Sequence, residues 1–225
     1  MRLTFLGHAA VELRIGDAVV LVDPFLSGNP TASCGPDDVV PSHVLLTHGH
    51  GDHVGDTIAL AKRHGATVVA MVEIAKWLQG QGVENAVGIN LGGGFDLPFG
   101  RVSLHPAWHS NALPDGSYGG MPAGVLIEAE GKRIYHAGDT ALFSDLGLVG
   151  RRGIDLALVP IGDHFTMGPA DAVEAVRLLA PERVVPVHYD TFPPIRQDPQ
   201  RFVADVEAET ATQGIVLAPG EGLDL

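Results

Sequence analysis

Short apolar runs that end at a histidine or an aspartate recur along this chain, and they constrain its fold more than any other feature. Leu3-Thr4-Phe5-Leu6 runs into Gly7-His8, and His43-Val44-Leu45-Leu46 into Thr47-His48. The run 101–107 ends at Trp108-His109, 133–136 just before Asp139, 154–160 just before His164, and 183–187 at His188. Apolar runs of this length read as strands. If those strands share a sheet edge, their ends gather titratable side chains in one cleft. Catalytic groups collect in such places, because loops there vary on a rigid scaffold.

The rest of the chain fills in around these runs. Residues 11–15 alternate apolar and polar, Gly16-Asp17 signals a hairpin, and 18–22 is a continuous apolar strand ending at Asp23-Pro24. Further strands are expected at 67–71, 124–129 and 215–218, the last clear strand. Helical spacing covers 54–64 and 73–79. Pro169 opens an amphipathic helix over 170–179 that Pro181 stops, and Asp198 caps a helix reaching Thr212 with Pro199 at its first position. The stretches 27–41 and 111–122 are rich in Gly and Pro and read as loops. Gly92-Gly93-Gly94 is a break that lacks the spacing of a phosphate-binding loop. Strands dominate the start of each half and helices alternate with strands after them. Two sheets packed face to face with helices outside satisfy that order. A chain of 225 residues suits one domain over 1–225.

Composition narrows the function. With 45% hydrophobic and 18% charged residues the chain has a globular balance. Its net charge of −13, with no cluster of Lys or Arg, argues against binding nucleic acid and suits the binding of cations. The single cysteine, Cys34, allows no intrachain disulfide, and its neighbours Ser33 and Gly35 make no case for a reactive thiol. No signal peptide and no apolar run of about 18 residues is visible, so a cytoplasmic protein without membrane insertion is expected. Phe192-Pro193-Pro194-Ile195 reads as an exposed apolar loop at the cleft mouth or as an interface, which leaves a homo-oligomer open.

The strongest chemical signal is His48-x-His50-x-Asp52-His53, four potential ligands within six residues. In a tight turn this spacing aims His48 and His50 at one ion and Asp52 and His53 at a neighbour. Gly49 and Gly51 remove bulk between them. Imidazole and carboxylate suit zinc, manganese and iron.

Thr47-His48-Gly49-His50-Gly51-Asp52-His53 resembles the T-H-x-H-x-D-H signature of the metallo-β-lactamase superfamily. Trp108-His109, Ala137-Gly138-Asp139-Thr140 and Val187-His188 resemble its later motifs, in order. Leu6-Gly7-His8-Ala9-Ala10 and Val22-Asp23-Pro24-Phe25 resemble the branch of ascorbate-6-phosphate lactonase-like enzymes and N-acyl-phosphatidylethanolamine phospholipase D. The stretch from Ile161 to Pro169 resembles short prokaryotic metal-dependent hydrolases of that branch.

The resemblance implies a four-layer αββα sandwich of two mixed sheets with the site at one edge. It places His48, His50 and His109 on one metal, Asp52, His53 and His188 on a second, and Asp139 between them. Two divalent ions roughly 3.5–4 Å apart, zinc first and manganese or iron next, can hold a bridging hydroxide that attacks an ester, lactone or phosphodiester of a small molecule. Asp52 would orient that nucleophile or move its proton. His8 reads either as a substrate ligand or proton donor, or as a buried histidine bonded to a carboxylate. His164 reads as a substrate contact or as loop structure, and Asp23 as a partner fixing a ligand histidine's tautomer. His43, His64, His105 and His136 read as structural. A di-iron oxidoreductase and a non-catalytic metal-binding protein on the same fold are the alternatives. The first needs a flavin partner domain or a sulfur-handling thiol, and the full ligand set argues against the second.

Overall fold

The computed structural model describes residues 1–225. Fourteen strands form two seven-stranded sheets. The first sheet takes β1 (Arg2–Gly7), β2 (Ala10–Ile15), β3 (Ala18–Val22), β4 (His43–Leu45), β5 (Thr67–Met71) and β6 (Ala86–Ile89). The second takes β7 (Gly94–Leu97), β8 (Gly100–Pro106), β9 (Ala123–Ala129), β10 (Lys132–His136), β11 (Leu156–Pro160), β12 (Arg183–Val187) and β13 (Gln213–Gly214). The chain then returns to the first sheet, where β14 (Gly222–Asp224) lies antiparallel against β1. Apart from β14, antiparallel strands come first in the chain in each sheet and parallel ones follow.

Strand parity sets the layers. Val125, Ile127, Ile134, Leu156 and Leu158 point into a core of 41 buried residues shared with Leu13, Val20, Val44 and Val68 of the first sheet. The alternate residues Leu126, Tyr135, Ala157 and Val159 point outward into a second cluster of 18, capped by α4 (Leu146–Gly150), α5 (Pro169–Leu179) and α6 (Pro199–Glu209). Period-two alternation therefore fills both faces of one sheet with apolar side chains. On the other sheet, Leu60 of α2 (Thr57–His64) and Ile74 and Leu78 of α3 (Val72–Gly80) are fully buried. The result is the expected sandwich, with helices outside both sheets.

Several local expectations change. The helix read over 54–64 is two, α1 (Gly51–Val54) and α2, broken at Gly55 with φ 43°. A Cβ there would lie 2.3 Å from the Pro24 carbonyl oxygen, so only glycine fits this crossing. Residues 215–218 form no strand. Ile215 makes one backbone bond to Val184, and a turn closed by Glu221 sends the chain toward β1. Strands β6, β7, β13 and β14 carried no legible pattern, being two to four residues long. Asp198 caps α6 as expected, accepting from the amides of Gln200 and Arg201.

Candidate metal centre

The strand ends converge, but from two sheets and not from one. His8 follows β1, Asp23 β3 and the His48–His53 run β4, all in the first sheet. His109 follows β8, Asp139 β10 and His188 β12, in the second. Backbone bonds tie the two sides, from the His188 amide to the His8 carbonyl at 2.7 Å and from the Ala123 amide to the Thr47 carbonyl at 3.0 Å. His8, Asp23 and His188 all have left-handed backbones, at φ 58°, 46° and 57°. Such conformations cost about 1–3 kcal/mol each and persist where the surrounding structure enforces them.

Ligand-type atoms collect in three overlapping groups, each within 4.8 Å: His48, His50 and His109; His48, His53 and Asp139; and His8, Asp52, His53 and His188. Asp139 stands between the outer two. Its Oδ2 is 3.1 Å from His188 Nε2 and 3.6 Å from His109 Nε2, and its Oδ1 is 3.3 Å from His53 Nε2. Despite these distances, His53 Nε2, Asp139 Oδ1 and His188 Nε2 are buried without a hydrogen-bond partner. Buried polar atoms left unpaired cost about 1–3 kcal/mol each, so convergent orphans of this kind fit a divalent cation.

Partners behind the cluster fix ring orientation. Asp23 is fully buried, and its Oδ1 accepts from the Thr47 amide at 2.9 Å. Its Oδ2 accepts from the Thr47 hydroxyl at 2.6 Å and from His53 Nδ1 at 2.7 Å. That leaves His53 Nε2 to face Asp139. The Gly49 amide donates to Asn111 Oδ1 at 2.7 Å, and a Cβ on Gly49 would strike that same oxygen. Gly51 faces open space, so the expectation that both glycines relieve crowding holds only for Gly49.

Electrostatics follow from burial and pairing. Burial alone would depress His53, but the charges on Asp139 and Asp23 outweigh it and hold the imidazole well above its ordinary range. Burial would raise Asp139, and the charges on His53 and His188 instead hold it well below the carboxylate range. Asp52 is likewise held low, burial being outweighed by the hydrogen bond from His8 and the charge on His53. Burial lowers His48 and His109, keeping these rings neutral and able to ligate.

His8 is buried, with Nδ1 2.8 Å from the Thr191 hydroxyl and Nε2 3.2 Å from Asp52 Oδ2. Burial pushes its pKa down to about 4. With Asp52 ionised, Nε2–H donates to the carboxylate and Nδ1 accepts from Thr191. His8 is thus a buried histidine bonded to a carboxylate, and its ring also falls within the ligand group of Asp52, His53 and His188. His164 is not brought to the cluster. Its ring is exposed and packs edge-on against Phe165 with centroids 4.5 Å apart.

The cleft over the cluster has a volume of about 380 Å³. His50, Asp52, His109, Asp139 and His188 form its floor, and Ser110 and Phe165 join its lining. Neither of these last two was singled out from sequence. The motif containing Phe165 was legible, but not which of its residues turns inward. His136, read as structural, bridges the layers: its Nε2 donates to the Ala9 carbonyl at 2.9 Å, and its Nδ1 accepts from the Gly138 amide at 3.1 Å.

The two stacked mixed sheets and the histidine–aspartate cluster at their common edge define a class. A model of the beta-lactamase superfamily domain matches residues 19–189. A UPF0173 metal-dependent hydrolase of Thermus thermophilus is 54% identical over 98% of this chain and 97% of its own, and one from Methanopyrus kandleri is 48% identical over the whole of both. The solved structure of Igni18, described as a novel metallo hydrolase from Ignicoccus hospitalis, superposes with a TM-score of 0.91 at 37% identity, covering 99% of this chain and 97% of that one. The chain belongs to the UPF0173 metal-dependent hydrolases of the beta-lactamase superfamily.

Proposed function

We propose that this hydrolase works with two divalent ions, one held by His48, His50 and His109, the other by Asp52, His53 and His188, with Asp139 shared between them. The observation that carries this reading is the overlap of the three ligand groups: the middle one shares His48 with the first and His53 with the third, and its Asp139 carboxylate lies within 4.0 Å of His48, His109, His53 and His188. Zinc is the expected ion, and the imidazole and carboxylate donors accommodate manganese or iron as well. When bound, such ions supply Lewis acidity and an activated water near neutral pH.

The chain's own residues do the rest. Asp52 lines the cleft with its carboxylate ionised, placed to orient a water and accept its proton. His8 holds Asp52 in place, and Thr191 holds His8 in the tautomer that donates to it. The Thr47 and His53 bonds to Asp23 keep one ligand ring turned toward Asp139. The substrate is a small molecule with a hydrolysable ester, lactone or phosphodiester, in keeping with a cleft of this size.

The test is metal analysis followed by an activity screen of the zinc- and manganese-loaded protein on lactones, aryl esters, phosphodiesters, thioesters and β-lactams. Two ions per chain and turnover lost in Asp52→Ala are expected. One ion per chain, or turnover unaffected by that substitution, would overturn the binuclear reading.

A further inference from the structure

Of the chain's exposed large hydrophobic side chains, which include Val40, Tyr118 and Leu148, two aromatics belong to the segments that build the cluster and its cleft. Trp108, next to His109, is 67% exposed, and Phe165, which lines the cleft, is 54% exposed. Neither sits on a loose tip. The Trp108 amide donates to the Thr140 hydroxyl at 3.0 Å, and its carbonyl accepts from the Ala141 amide at 2.9 Å. Phe165 crowns a tight turn closed by the Asp163 amide on the Met167 carbonyl at 3.0 Å. That turn is pinned by the Met167 amide on the Thr140 carbonyl at 3.1 Å. Both aromatics are thus fixed to Thr140, the residue after Asp139. Phe143 extends the surface, its ring centroid 6.4 Å from that of Trp108.

The charge of the cleft points the same way. Its lining contains no Lys or Arg, and its fixed charges are the carboxylates of Asp52 and Asp139. Beyond the ligand cluster nothing there would pair with an anionic group, which would meet the field of a chain of net charge −13. Aromatic surface exposed to water on a pinned backbone gains by covering apolar groups.

We propose that the substrate carries an uncharged, apolar group beside its scissile bond and that Trp108 and Phe165 hold this group. The proposal rests on the hydrolase reading above and adds the substrate's flank. It makes the two aromatics specificity determinants, acting on the non-reacting part of the molecule.

The test uses the zinc-loaded protein and three nitrophenyl esters: the acetate, the hexanoate, and the adipate half-ester whose chain ends in a carboxylate. The expected kcat/KM for the hexanoate exceeds that for the acetate by about tenfold, with the half-ester below the hexanoate. A Trp108→Ala/Phe165→Ala double variant loses most of that gain while its metal content stays that of the wild type. Both side chains are exposed, so removing them opens no core. A hexanoate no better than the acetate, a preferred half-ester, or a double variant keeping the full preference would overturn the proposal. If no ester is cleaved at all, the choice of ester as scissile bond fails instead, and the flank is then read by calorimetry with a ketone isostere of the hexanoate. Binding weakened about tenfold in Phe165→Ala supports the proposal, and equal or undetectable binding overturns it.

Discussion

Asp52 and Asp23 are both aspartates held by histidine, yet they sit in different surroundings and carry different expectations. Asp52 faces the cleft with His8 behind it, so Asp52→Ala should lower kcat by about 100-fold or more, checked by steady-state kinetics at saturating zinc. Asp23 is fully buried, and its carboxylate hydrogen-bonds to the back of His53 and to Thr47. On the two-ion proposal, Asp23→Ala should weaken the ion held by His53 about 10–100-fold in a competitive chelator titration, with the Asp52 side chain still in place. His136 gives one identifiable part of the pH dependence. Burial lowers its pKa from the ordinary value of 6.5, so the unfolded chain takes up the proton first as pH falls. Stability from this group is present above pH 6.5 and is lost as pH drops below it, by at most about 1.4 kcal/mol per pH unit. Protonating Nδ1 also removes the acceptor of the Gly138 amide. Denaturant melts of the metal-free protein should show this decline. His136→Gln should be about 1–3 kcal/mol less stable at neutral pH and flatter below it.

At the scale of elements, the crossing of α1 and α2 over the loop after β3 decides where the ligand run points. Gly55 lets the chain turn within contact of Pro24 and Phe25, and Asp56 accepts from the amides of Leu26 and Ser27 to hold that loop down. Gly55→Ala should therefore cost about 2 kcal/mol or more, from both the backbone conformation and the clash, measured as a lowered denaturant midpoint at unchanged m. The helix pattern over 54–64 looked unbroken in sequence because periodicity registers side chains and not the close approach of a distant carbonyl.

For the whole molecule, the cluster joins the edges of two sheets whose sequences are far apart, so an ion bound there also clamps the sandwich. Stripping metal with a chelator should lower the melting temperature. With free metal at 100-fold its dissociation constant, each site contributes about 2.7 kcal/mol, or roughly 5–10 °C for a chain of this size. A calorimetric scan with and without chelator reads this directly, and no change would mean the edges hold without help. Across the molecule no helix is long and apolar enough to cross a membrane.

Local pattern by itself determined most strands and long helices, the capped start of α6, and the residue types at the strand ends, because hydrophobic period and capping chemistry act within a few residues. The resemblance to the metallo-β-lactamase superfamily, carried by motif identity and order, implied His48, His50, Asp52, His53, His109, Asp139 and His188 as a set. Only the tertiary structure decided that the ends come from two sheets and that β14 closes against β1. It also turned His8 inward onto Asp52 and Thr191 while leaving His164 in solvent and Phe165 over the cleft. Those outcomes depend on which distant backbone passes within hydrogen-bond reach. No window of neighbouring residues carries that information.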